Sequence, residues 1–119
     1  VGKIVPGVIP GIGFAAGTAR LSSSSYVALD SIAAILIADQ TASVEIGAHS
    51  DNSLSSAESM RLTGLQADAV RDYLVLKGVP YQQISSKGYG STMPLTPDTT
   101  PTGRAANRRV EIKFATPGP

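Results

Sequence analysis

Apolar and polar residues alternate along one stretch near the end of the chain. Val110, Ile112 and Phe114 are apolar, whereas Arg109, Glu111 and Lys113 are charged. A period of two belongs to a strand with one buried face, and it predicts a strand from about Arg108 to Ala115. Parity separates two neighbouring arginines: Arg108 falls on the side of the apolar residues and Arg109 on the solvent side. An arginine on the core side where a strand begins calls for an anionic partner or a polar rim. The pattern therefore points to a small polar site at one end of a sheet.

The same reading orders the rest of the chain. Val44, Ile46 and Ala48 alternate with Glu45, Gly47 and His49, which predicts a second half-buried strand. Gln83 to Lys87 reads as a short strand, and Ile12 to Ala16 as a first one weakened by Gly13 and Gly17. Helical spacing appears twice. Leu29, Ile32, Ala33 and Leu36 share one face of a helix over about Tyr26 to Ala38, after a serine run, Ser22 to Ser25, that reads as a loop ending in an N-cap. Leu62, Leu65, Ala69, Val70, Tyr73 and Leu74 form the stripe of a longer helix, about Ala57 to Lys77. Ser55 and Glu58 have capping-box spacing at its start, and Gly78 stands at its C′ position. Gly88 to Arg104, with Pro94, Pro97 and Pro101, reads as a long loop. The order is β-α-β-α-β-β. Charge on the odd strand positions leaves one sheet face open, so the expected fold is an α/β two-layer sandwich with helices on one face of a mixed sheet.

Composition narrows the function classes. The 119 residues suit one domain with its own core, and the net charge of +1 gives no general attraction to nucleic acid. Aromatic residues make up 5%, too few for a base-stacking platform. The chain has no cysteine, which excludes disulfides, thiolate metal sites and a cysteine nucleophile. Residues 1–13 are apolar but carry Pro6, Pro10 and four glycines, and read as a linker or edge segment of a larger protein rather than a signal peptide. No apolar run reaches the ~18 residues of a membrane-spanning helix. His49, the single histidine, shares parity with Glu45 and Gly47 and reads as an exposed or packed strand residue. His49, Ser50 and Asp51 are consecutive on one strand and cannot meet in triad geometry. One histidine among scattered carboxylates makes no zinc site. No enzyme, metal or cofactor is therefore expected.

Several motifs then stand in order: Phe14-Ala-Ala-Gly-Thr-Ala-Arg-Leu21, Val44-Glu-Ile-Gly-Ala-His-Ser-Asp51, Leu62-Thr-Gly-Leu-Gln-Ala67 followed by Val70 and Tyr73-Leu74, Gly88-Tyr89-Gly90, and Gly103-Arg104-Ala105-x-Asn107-Arg108-Arg109-Val-Glu-Ile112. From Phe14 to Phe114 the chain resembles the OmpA-like C-terminal domain, a peptidoglycan-binding module of Gram-negative outer-membrane proteins, peptidoglycan-associated lipoproteins and flagellar stator proteins. The resemblance implies an OmpA-like domain over residues 14–115, with 116–119 as a tail. It implies a periplasmic module at the outer membrane or wall that binds the peptidoglycan stem peptide at diaminopimelate and tethers its parent protein. Other envelope proteins are further candidate partners. By position the resemblance assigns the ligand's ammonium group to Asp51. Arg108, Gln66, Ser50 and Asn107 complete the candidate binding residues. Gln66 stands where the family carries a carboxylate-binding arginine, Ser59 where it carries an asparagine, and Ser50 where it carries a threonine.

Other readings of these residues stay open at this point. Asp51 also suits a turn cap. Arg108 also suits a structural ion pair with Asp51 or a loop carbonyl, and Arg104 suits a brace for the long loop. An alternative function is a degenerate OmpA-like domain without wall binding, serving as an interaction or assembly unit in an envelope complex.

Overall fold

The computed structural model describes residues 3–115; the tail expected at 116–119 lies outside the described residues. In chain order the elements are β1 (Gly7–Val8), α1 (Ser25–Ala38), β2 (Val44–His49), α2 (Ser56–Leu76), a 3-10 turn (Tyr81–Gln83), β3 (Ile84–Gly90), α3 (Pro101–Asn107) and β4 (Arg109–Phe114). The sheet runs β1-β4-β2-β3, with β2 parallel to β3 and antiparallel to β4, and β1 antiparallel to β4. It is the mixed sheet of an α/β sandwich. Val44, Ile46 and Ala48 of β2 and Val110 and Ile112 of β4 join Leu29, Ala33 and Leu36 of α1 and Ala67, Val70 and Leu74 of α2 in one buried core.

Local chemistry explains the boundaries of α2. The Ser55 hydroxyl accepts from the Glu58 N–H at 3.2 Å, while Glu58 itself pairs with Arg61. The cap is thus one half of a capping box, its acidic member drawn to the next turn's arginine. At the other end Gly78 has φ +107, its N–H bonds the Val75 carbonyl, and the Val79 N–H bonds the Leu74 carbonyl. That pair of bonds is a Schellman motif, and its positive φ favours glycine.

Five sequence expectations change. The first strand is Gly7–Val8, at the sheet edge; Ile12 to Ala16 forms none, and Phe14 makes only an isolated bridge to Leu21. The serine run does not cap α1 by a side chain. Ser25 and Ser22 hydrogen-bond Gly13 instead, clasping the incoming chain to the start of the helix. The stripe of α2 is rotated: Ser59, Thr63, Ala67, Val70 and Leu74 are buried, and Leu65 is exposed. Small residues face β3 because the two backbones nearly touch; a Cβ at Gly88 would lie 2.3 Å from the Gly64 nitrogen. The expected loop before β4 contains α3, started by Pro101 at its first turn and by the Thr100 hydroxyl accepting from the Gly103 N–H. Finally, the face of the sheet away from the core cluster is polar but not open. His49 stacks on Tyr89 at 4.9 Å, the Tyr89 hydroxyl donates to Glu45 at 2.5 Å, and Lys113 pairs with Glu45 at 3.3 Å. Arg109 is equally enclosed: its guanidinium donates to Glu111, to the Asn107 carbonyl and to the Met93 carbonyl, leaving its side chain 6% exposed.

Candidate functional site

A cleft of about 470 Å³ opens where β2 ends and β4 begins. Its walls come from Ile12 to Gly17, from Ser50 to Leu54, from Leu62 and Gln66 of α2, and from Arg108 to Val110. The strands deliver their polar ends here because the alternation that buries Ala48 and Val110 stops at the strand ends, where Ser50 and Asp51 follow β2 and Arg108 precedes β4.

Asp51 is the anionic centre and is only 3% exposed. One carboxylate oxygen accepts from the Ser53 N–H at 3.0 Å and from the Ser53 hydroxyl; the other accepts from the Arg108 guanidinium. Burial alone pushes its pKa up, but the two Ser53 bonds and Arg108 together hold it below the ordinary 3.8. Asp51 is therefore ionised at neutral pH. A carboxylate has about four acceptor sites, and three are occupied, which leaves room for one further donor. Arg108 uses a single nitrogen on Asp51 and keeps its side chain 57% exposed, so the rest of its planar fork faces solvent. Asp51 caps the Asp51–Ser53 turn, and it lies in a cleft paired with a cation.

Three other candidates sort differently. Ser50 lines the cleft, and its hydroxyl is buried without a hydrogen-bond partner. Buried polar atoms are rarely left unpaired, but this oxygen is sealed from solvent and does not open into the cleft. Gln66 also lines the cleft, and its side-chain N–H donates to the Thr18 carbonyl at 3.0 Å. Asn107 does not join them. It is fully buried, its oxygen accepts from the Leu95 and Thr96 N–H groups, and its nitrogen donates to the Thr96 carbonyl and to Asp98. Its amide is consumed in pinning the loop before α3, and Arg104 braces the same loop through the Asp98 carbonyl. Arg109 lines the cleft too, while its guanidinium is held by Glu111 and two carbonyls.

Sequence reasoning missed the wall at Ala15 and Ala16, for which no local pattern exists, and Ser53. The latter had a signal: a serine two residues after an aspartate is the spacing of an Asx turn. Among the described residues no group of three or more His, Asp or Glu side chains is placed to hold a metal ion, and no helix is long and apolar enough to cross a membrane.

Residues 13–108 match the model of the OmpA family. The chain belongs to that family. It is 40% identical over 101 residues to the peptidoglycan-binding protein ArfA of Mycobacterium tuberculosis, covering 85% of this chain and 31% of that relative. It is 34% identical over 88 residues to outer membrane porin F of Pseudomonas fluorescens, covering 74% and 27%. The chain thus spans less than a third of the length of these curated relatives. Its fold is similar to the peptidoglycan-associated lipoprotein of Burkholderia pseudomallei, with a TM-score of 0.80 at 22% identity over 93% of this chain and 91% of that one. The C-terminal domain of Helicobacter pylori MotB gives a TM-score of 0.80 at 25% identity over 97% and 87%. The OmpA family match runs from Gly13 to Arg108, so β1 and the strand it pairs with, β4, both lie outside the matched segment.

Proposed function

We propose that this OmpA-family domain is a non-catalytic peptidoglycan-binding module that tethers its parent protein to the wall, in the periplasm or at the outer membrane. The observation that carries the reading is the Asp51–Arg108 pair set in a cleft at the strand ends. It is supported by family membership and by relatives whose names include a peptidoglycan-binding protein and a peptidoglycan-associated lipoprotein. The ligand is the stem peptide at its diaminopimelate residue, whose side chain ends in an ammonium and a carboxylate. Asp51 has one acceptor site left for the ammonium. The outer edge of Arg108 grips the carboxylate at two points. Nothing in this scheme breaks a bond.

A second reading draws on the same pair. Arg108 already satisfies Asp51 without a ligand, as expected of an OmpA-like domain that has given up the wall for assembly with other envelope proteins. Co-sedimentation with purified peptidoglycan sacculi separates the two. The domain should pellet with sacculi and be released by soluble stem peptide carrying diaminopimelate. A folded domain that stays in the supernatant overturns wall binding and leaves the assembly reading.

A further inference from the structure

We infer that Gln66 is a positioning residue, which serves the cleft by holding the turn Ala15–Arg20 in place as one of its walls rather than by touching the ligand. The inference rests on the wall-binding reading above.

The turn is anchored well at its base and poorly at its tip. At the base, Gly13 is clasped by Ser22 and Ser25, and Phe14 bridges to Leu21. Within the turn, Ala15 and Arg20 are joined by a backbone bond, and Thr18 folds back on the Ala15 carbonyl through both its N–H and its hydroxyl. Residues 15–18 are exposed. Among the described residues, a single hydrogen bond ties the Ala15–Arg20 stretch to anything outside itself: the Gln66 amide on the Thr18 carbonyl, 48 residues away in sequence. A segment with few buried contacts and one external tie opens at low free-energy cost.

The position of Gln66 explains why that tie matters. It follows Leu62 by one helical turn, and both line the cleft, as do Ala15, Ala16 and Gly17. Gln66 therefore spans from the α2 wall to the turn wall. One of its two amide N–H groups is spent on a backbone carbonyl, and that N–H is not free for a ligand. A released turn would widen the cleft, and a ligand would then have to order it on binding, which lowers affinity without removing any ligand contact.

The test uses Gln66→Met, which keeps length and bulk but removes the donor. Three readouts are taken: amide hydrogen exchange at residues 15–20, the thermal midpoint, and affinity for a soluble stem peptide carrying diaminopimelate. Exchange in the turn should rise, the midpoint should stay within a degree or two, and affinity should fall about two- to tenfold, the value of one ordinary hydrogen bond. The absence of native cysteine permits a rescue. In Thr18→Cys/Gln66→Cys the two thiols are joined by a short bifunctional thiol reagent, and affinity is compared before and after linkage. Linkage should restore binding if position 66 acts through the turn. Failure of the linked protein to recover shows that Gln66 contacts the ligand, and overturns the inference. Unchanged exchange or unchanged affinity in Gln66→Met overturns it as well. Both outcomes leave wall binding intact, whereas a wild-type domain that binds neither peptide nor sacculi overturns the wall-binding reading and this inference together.

Discussion

On the wall-binding reading Asp51 has two jobs, capping its turn and receiving the ligand, and one substitution separates them. Asp51→Asn keeps an oxygen that accepts both Ser53 bonds, so the turn survives, but it removes the charge that Arg108 and a ligand ammonium require. The stability cost is small. The ion pair is with a guanidinium whose side chain is 57% exposed, and such screened pairs contribute about 0–1 kcal/mol. Asp51→Ala adds the loss of the turn, about 1 kcal/mol for a capping oxygen. The expected series is therefore about 0.5 kcal/mol for Asn and about 1.5–2 kcal/mol for Ala. For a domain of this size that is a fall of roughly 2 °C against roughly 6–8 °C in the midpoint. Binding should follow the other order of logic: both variants lose a charge-assisted bond worth about 1.5–3 kcal/mol, or about 10- to 100-fold in affinity. Thermal denaturation and stem-peptide titration read the two effects independently. If Asn binds like wild type, the carboxylate charge does not receive the ligand, and the assignment fails. If Asn is as unstable as Ala, the turn depends on the ion pair rather than on the Ser53 bonds. The pH dependence has a definite sign. The folded pKa of Asp51 lies below 3.8, so its contribution is complete above that value and disappears as pH falls through the folded pKa.

Three further expectations follow from the structure. His49 is held below its ordinary pKa of 6.5 by burial and then by Arg109, so the unfolded chain takes up its proton first; stability should fall as pH drops below 6.5, and His49→Phe should flatten that slope in urea titrations at several pH values. Gln83 points its side-chain N–H₂ at the Leu36, Asp39 and Ala42 carbonyls; Gln83→Leu should cost about 2–4 kcal/mol and Gln83→Glu more, since a carboxylate would face the same three oxygens, and a Glu variant as stable as Leu in denaturant melts would refute the contact. Gly88→Ala would drive a methyl group to 2.3 Å from the Gly64 backbone; it should cost about 3 kcal/mol by forcing α2 away from β3, and a midpoint unchanged from wild type would show that the two backbones are not in contact.

How much of this was legible beforehand depends on whether the governing interaction was local. The strands β2 and β4 and the end of α2 were readable because alternation and a C′ glycine act within a few residues. The α2 stripe was misplaced because its register is set from outside. Gly64 and Gly88 let a helix and a strand approach until only small side chains fit between them, and hydrophobicity along the helix does not encode that distance. α3 reads as loop for a different reason: its start is local, at the Thr100 cap, but three prolines and a glycine obscure a helix of only seven residues.

The site shows the same division between side-chain parity and what surrounds it. Parity placed Arg108 toward a polar site, and it does meet Asp51 there. It also placed Arg109 on the opposite face, where it does lie, but parity cannot say that a returning loop will cover that face through the Met93 carbonyl. Position in a motif was weaker still as a guide to role. Asn107 sits beside Arg108 in sequence and in the motif, yet it faces the preceding loop, with its amide satisfied on both sides. Gln66 reaches the cleft, yet one of its two N–H donors is committed to Thr18. The surrounding loop claims the whole Asn107 amide, and a neighbouring backbone claims one N–H of Gln66. A residue at a binding position contributes to binding directly only with the hydrogen-bonding capacity that the fold leaves unspent. By that measure Arg108 holds most of the free capacity in this cleft, Gln66 keeps one N–H and its amide oxygen, and Asp51 holds one remaining site.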